Sequence, residues 1–232
     1  MRPRVSDLAL HLARLALSAG VLALSSRYAS LPGMIAGGTL FFLEAFAFQH
    51  DLAHGALGLP RRVNEGALAV VGALMFMSGH AIRRTHLVHH ARPLSDDDFE
   101  GRPARETFLR ALAGGACGVL AHRVRAFRGA GPRGQRWQIV ENLAGAALLA
   151  AIVASGEAAL LVYAAVAILA QLTMGLWASH IPHNAPGWLV RVAERLAWTG
   201  SPTVLSLAYH ELHHARPQVP CRRLGAAARA AA

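Results

Sequence analysis

"HLVHHARPLSDDDFEG", residues 86 to 101, sets three histidines within five positions and follows them with three aspartates. In a helix, positions i, i+3 and i+4 share one face, so His86, His89 and His90 would project together. The same HxxHH spacing returns at 210–214 as "HELHH" (His210, His213, His214), and looser pairs occur at 50–54 in "HDLAH" (His50, His54) and at 180–184 in "HIPHN" (His180, His183). Ten of the 13 histidines therefore fall in four groups. Random placement at this histidine content gives HxxHH about 0.04 times, and it is present twice. Imidazoles converging at helical spacing have the geometry of metal ligands, so the segments that carry them are expected to be helices.

Outward from these groups the chain is apolar: 54% of its residues are hydrophobic and only 16% are charged. Soluble domains carry more charge than that, which points to lipid. A bilayer-crossing helix needs about 20 apolar residues, and four stretches qualify, at roughly 8–26, 31–49, 138–155 and 158–178. A fifth, "GALAVVGALMFMSG" (66–79), lies between Arg61-Arg62 and Arg83-Arg84 and is too short to cross. It reads as a re-entrant or interfacial helix. The basic, apolar start could pass for a signal peptide, but Asp7, His11 and Arg14 interrupt it. A retained first span is the better reading. The expected fold is all-α: a single integral membrane domain over residues 1–232, with about four transmembrane helices, a re-entrant or interfacial helix and a cytoplasmic metal-binding cap.

The net charge is +10, and all 23 basic residues are arginine. With four spans and both termini cytoplasmic, every arginine outside the spans except Arg27 falls on the cytoplasmic side, and Arg14 can snorkel from within the first span. The same topology puts all four histidine groups on that side, although histidine played no part in building it. The positive balance is thus a matter of membrane orientation and not of nucleic-acid binding, with a bacterial inner (cell) membrane as the expected location. Two cysteines, Cys117 and Cys221, exclude a disulfide framework, an iron–sulfur motif and a CxxCH haem site. Between 91 and 137 an Arg-rich stretch is expected to hold one amphipathic helix around 105–125, before the turn-rich "RGAGPRGQR".

Imidazole suits Zn, Cu, Fe and Ni, and eight to ten converging histidines exceed what one ion takes, which implies two metals. A structural zinc site closes with four ligands and prefers Cys, whereas an open His-rich pair suits oxygen activation at iron. "HDLAHGALGLPRRVNEGALAVVGAL", "HLVHHARPLSDDDF" and "HELHHARPQVP" resemble the three histidine boxes, HxxxH, HxxHH and HxxHH, of the membrane fatty acid desaturase superfamily, which includes carotenoid ketolases and hydroxylases. The order of the boxes, the wide gap before the third and the ending at Pro217 and Pro220 all match, over residues 50–224.

The resemblance implies a four-span fold, a cytoplasmic di-iron site, O2 as co-substrate and a lipid chain beside the metals. Carried over by position, His50, His54, His86, His89, His90, His210, His213 and His214 would be iron ligands. His183 would fill the further ligand position after the last span, with His180 as an additional ligand and Asn184 as a water-mediated neighbour. The activity implied is O2-dependent oxidation of a lipid hydrocarbon chain, first of all fatty acyl desaturation. The shortness of the chain keeps carotenoid ketone formation or hydroxylation as the alternative. No flavin, dinucleotide, haem or iron–sulfur fingerprint occurs, so electrons must come from an external donor such as a ferredoxin.

Supporting residues are expected among the acids. Asp51 and Glu211 lie inside boxes, where a carboxylate can hold the second nitrogen of a ligating imidazole, and Asp98 is the candidate among Asp96 to Asp98. Glu44 is an ionisable group within a span, placed off the His50 face. His11 and His122 read as interfacial residues, His80 as marginal to the site, and Trp177, Trp188 and Trp198 as interfacial anchors. A rival reading is HExxH, in which His210, Glu211 and His214 would make an intramembrane zinc metalloprotease. Arg216-Pro217 follows at once and leaves that motif little helix, and the other histidine groups would have no use.

Overall fold

The computed structural model describes residues 5–231. Helix α1 (Val5–Arg27) and helix α2 (Leu31–Ala53) form an antiparallel hairpin. Ser30 ends the turn by accepting the Gly33 amide at 3.3 Å, and Pro32 sits in the first turn of α2, where its missing N–H costs nothing. The two helices approach closely at Gly37, where a Cβ would lie 2.8 Å from the Leu22 backbone nitrogen. Within the hairpin Arg14 pairs with Glu44 at 3.3 Å, which partners an ionisable group inside the second span, and the other amino group of Arg14 donates to Thr199 O at 3.4 Å.

The short apolar stretch forms a sharp elbow. Helix α3 (Arg61–Leu74) and helix α4 (Gly79–Ala91) meet at 106°. Gly79 is fitted closely there, since a Cβ would meet the Leu68 carbonyl at 2.3 Å. An irregular turn at membrane depth must have its carbonyls satisfied from within the protein. Here Tyr163 Oη donates to Leu74 O at 2.6 Å, Gln171 Nε2 to Met75 O at 2.9 Å and Arg123 to Phe76 O at 3.0 Å. These contacts hold the two helices in a fixed, bent arrangement.

The expected helix around 105–125 is broken. A 3₁₀ turn (Arg102–Arg105) leads into helix α5 (Phe108–Ala113) and then helix α6 (Gly115–Arg128). The break falls at Gly114-Gly115, because a Cβ on Gly115 would lie 2.1 Å from the Leu172 carbonyl and only glycine permits that approach. Helix α7 (Pro132–Ser155) ends at Gly156, whose φ of 67° is left-handed, and helix α8 (Ala158–Leu172) returns. A π-helical turn (Gly175–His180) joins α8 to helix α9 (Ile181–Asn184), bending the path by 55°. Four short helices follow: α10 (Gly187–Arg195), α11 (Pro202–Ala208), α12 (His210–Ala215) and α13 (Leu224–Arg229).

No strand occurs among the described residues. Three helices, α1, α2 and α7, are long and apolar enough to cross a membrane, and the count reaches five if α3–α4 and α8–α9 each make one bent span. The expected four lies within that range, and the fourth expected span is the one that breaks, before Gly175. The core, with Phe42, Leu52, Leu68 and Met75 fully buried, packs α2 against α3, α4 and α8. Leucines such as Leu17, Leu143 and Leu169 face outward, as a lipid-facing surface requires. At the other end Asp7 binds Arg222 and Arg223, which brings the start of α1 onto the C-terminal segment.

Candidate metal centre

Helices α2, α4 and α12 end at the same place, and their histidines meet there. One set comprises His50 and His54 from the end of α2, His86 and His90 from α4 and His213 from α12. His213 Nε2 lies 3.0 Å from both His50 Nε2 and His90 Nε2, and His86 Nε2 lies 2.9 Å from His54 Nε2. A second set gathers His89, His183 and His214, with His210 Nε2 and His89 Nε2 each 3.2 Å from His183 Nε2. The two sets touch where the rings of His90 and His214 stack at 4.3 Å.

The opposite ring nitrogens show why these imidazoles point inward. Asp98 accepts from His89 Nδ1 at 2.7 Å, and Glu100 accepts from His86 Nδ1 at 2.5 Å. With the proton on Nδ1, the Nε2 of each ring presents a lone pair to another Nε2. Lone pairs cannot hydrogen-bond each other, but they can share a cation. Two nitrogens about 2.1 Å from one ion stand about 3.0 to 3.4 Å apart at right-angled or tetrahedral positions, close to the spacings found here. His214 Nε2 is buried and has no hydrogen-bond partner among the described residues, as suits a metal-ligating nitrogen. The residues present therefore fit two metals, held by five and four imidazoles.

Burial and neighbouring imidazoles lower the pKa of His210 to about 3 and of His214 to about 4, leaving both rings in the neutral form that binds metal. For Asp98, burial pushes the carboxyl up, but hydrogen bonds from His89 and from the Gly101 and Leu94 amides outweigh it and hold the group ionised. Asp98 thus holds a ligand and the loop after α4 at once.

The model of the fatty acid desaturase family matches residues 26–232. The chain belongs to the fatty acid desaturase family. No curated protein and no solved structure matches it. The match begins at the end of α1, so most of the first helix of this desaturase-family protein lies outside it.

Several supporting residues stand elsewhere than expected. His180 donates through Nδ1 to Pro103 O at 3.0 Å and is not gathered into either set. Asn184 clamps Ala104 O at 2.9 Å and is exposed, so it braces the loop instead of neighbouring a metal. Glu211 is exposed, and no side-chain partner for it occurs among the described residues, so it does not back a ligating imidazole. Asp51 does lie behind His50, but at 3.8 Å from Nδ1, beyond hydrogen-bond reach. Asp96 and Asp97 pair outward with Arg105 and Arg92.

His11 and His122 are buried and not interfacial: His11 meets Asp51 at 3.1 Å, and His122 meets Thr85 at 2.6 Å. His80 is held apart from the metal centre, against Glu141 at 2.5 Å. Trp177 packs on Phe42 and Phe46 within the protein, whereas Trp188 and Trp198 are exposed as anchors would be. Two residues that touch ligands went unread in the sequence: Glu100, which lies in the acidic run already singled out, and Cys221, whose Sγ is 3.2 Å from His50 Nδ1.

Two cavities of about 290 and 310 Å³ adjoin the desaturase-family centre. His50, His86, Glu100, Phe46 and Ala178 line both, so the cavities meet at the face of the five-imidazole set. The first extends past Ile82, Val119 and Gly118, and the second past Leu43, Trp177 and Leu207. Both are mostly apolar, as a hydrocarbon site requires.

Proposed function

We propose that this protein catalyses the O2-dependent, di-iron oxidation of a lipid hydrocarbon chain, and that the reaction is fatty acyl desaturation. The observation that carries this reading is that two apolar cavities share His50 and His86 in their linings, beside nine imidazoles arranged as five and four. A chain occupying both cavities would present an interior carbon–carbon bond to the metal centre.

His50, His54, His86, His90 and His213 would hold one iron, and His89, His183, His210 and His214 the other. Iron held there would supply the oxygen chemistry needed to remove hydrogen from an unactivated carbon. Overall, two hydrogens leave adjacent carbons, two electrons come from an external donor such as a ferredoxin, and O2 departs with two further protons as two waters. Glu100 and Asp98 fix the tautomers of His86 and His89, so that both rings face the centre before substrate arrives. Phe46 and Trp177 wall the cavities and keep water from the reacting carbons.

The whole chain acts in this reading as one catalytic domain. It sits in a bacterial inner membrane with its histidines and termini on the cytoplasmic side, where the arginines meet anionic lipid and an acidic donor. The test is expression in cells that make both fatty acids and carotenoids, with lipid mass spectrometry and iron analysis of the purified protein. Loss of two hydrogens from acyl chains, with about two irons per chain, is the expected result. Oxygen added to a carotenoid would replace the substrate assignment, and a single zinc would overturn the reaction class.

A further inference from the structure

The helix that lies mostly outside the family match reaches the metal centre from behind. His11, on α1, is 3% exposed and stacks on Phe48 at 4.9 Å. Its Nε2–H donates to Asp51 Oδ2 at 3.1 Å. The other oxygen of Asp51 accepts the backbone amide of Cys221 at 3.0 Å, and Cys221 Sγ accepts from His50 Nδ1 at 3.2 Å. One helical turn before His11, Asp7 binds Arg222 and Arg223, the two residues after Cys221. Helix α1 therefore grips the Cys221–Arg223 turn twice, directly through Asp7 and through Asp51 by way of His11.

We propose that His11 is a positioning residue for the metal ligand His50, acting through Asp51 and Cys221. The proposal rests on the reading of His50 as a ligand. His86 and His89 are backed by acids from the loop that follows their own helix, Glu100 and Asp98. Among the described residues His50 has no carboxylate within hydrogen-bond reach on that side, Asp51 lying 3.8 Å from Nδ1. Its backing atom is a sulfur carried by the C-terminal segment, 171 residues away. Asp51 is the group that holds the Cys221 amide itself, while Asp7 holds the two residues after it, and a buried carboxylate keeps its orientation best when its second oxygen is also satisfied. His11 provides that second bond. Without it, Asp51 is free to turn, the Cys221 turn loosens and Nδ1 of His50 loses its partner.

The test uses the full-length protein with Cys117→Ser, so that Cys221 is the remaining thiol, and compares His11→Leu, His11→Asn and His11→Gln. Gln carries an N–H that reaches the position of Nε2, whereas Asn is polar but too short and Leu has no donor. Two quantities are measured, both without turnover: the labelling rate of Cys221 in metal-free protein, and Co2+ binding by titration with its visible absorption. In the Leu and Asn variants, labelling should rise tenfold or more. Cobalt affinity at one of the two sites should fall by about 10- to 100-fold, the usual cost of losing support behind a ligand, with an altered absorption band for that site alone. Gln should restore both.

The inference is overturned if the Leu and Asn variants label and bind cobalt as the parent does, if Gln behaves as Leu does, or if both cobalt sites weaken equally. Parent protein that binds no cobalt would overturn the metal assignment itself, while the labelling rates still decide whether His11 holds the Cys221 turn.

Discussion

The two imidazole sets are built from the same residue type at the same spacing, yet they are supported differently. The five-imidazole set draws on α2, α4 and α12 and borders both apolar cavities. The four-imidazole set takes His183 from the segment after the π-helical turn and is tied to the chain by Asp98. Equivalent ligands thus gain unequal surroundings, and the difference suggests a division of labour. The five-imidazole set lines both cavities, through His50 and His86, whereas the other lines the second cavity alone, through His89 and His210, and is anchored by a buried carboxylate.

Removing the most central ligand of each set gives the largest expected effects. His213 Nε2 touches two other Nε2 atoms, and so does His183 Nε2. His213→Ala and His183→Ala should each abolish the proposed lipid oxidation and reduce bound iron from about two to about one per chain. Iron analysis with a spectroscopic signature for each site checks this, and the two variants should retain different irons. If both retained the same iron, the partition into five and four would be wrong.

Next in size come the acids behind the rings. Glu100→Gln should weaken metal binding in the five-imidazole set, and Asp98→Asn in the other, each by about 10- to 100-fold. Asp98→Asn should cost more stability as well, because its carboxylate also receives the Leu94 and Gly101 amides at 2.8 Å. Metal titration and thermal unfolding of both variants separate these effects. Equal unfolding temperatures would break the claim that Asp98 also holds the loop.

A third substitution acts on the cavity and leaves the ligands alone. Gly118 lines the first cavity, and a Cβ there would meet nothing within 4 Å. Gly118→Leu should therefore fill the cavity without a clash, and replacing glycine inside α6 adds about 0.5–1 kcal/mol of helix stability. The expected result is a stable, iron-loaded protein that accepts shorter chains or shifts the position of oxidation, read by mass spectrometry of the products. An unchanged product profile would remove this cavity from the substrate path.

How much of this could be read in the sequence follows from the range of each interaction. The ligand groups were legible because helical spacing is local: HLVHH and HELHH place their rings on one face before any tertiary contact forms. The elbow was legible in outline, since 14 apolar residues between arginine pairs cannot span, but its angle depends on Tyr163, Gln171 and Arg123 from distant helices. Gly114-Gly115 carried a signal for the break in the expected 105–125 helix, because paired glycines favour close approach over helix continuity. Glu100 lies only 14 residues from the histidine it holds, but spacing alone does not distinguish it from the three aspartates before it, since the loop after α4 decides which acid turns inward. His11 and Cys221 were beyond reach: their roles exist only because α1 and the C-terminal turn pack on Asp51, and no local pattern encodes that contact.

The smallest expected effect concerns protons, which compete with metal for the same nitrogens. In the five-imidazole set, burial and neighbouring rings lower His54 to about 2 and His213 further still. In the other set His210 is lowered to about 3 and His214 only to about 4. In the unfolded chain all of these rings titrate near 6.5. Each folded pKa is depressed, so the unfolded state binds more protons than the folded state once the pH drops below about 6.5, and stability falls with it. Metal-free protein should therefore show a falling unfolding temperature from about pH 6.5 downward, with His214 ceasing to contribute near pH 4 and His210 and His54 continuing the fall to about pH 3 and 2. Loaded protein should lose metal in order, first from the four-imidazole set, where protons gain hold at the higher pH. Iron spectra recorded along an acid titration would show this order, and simultaneous loss from both sets would mean that the two sites are electrostatically one.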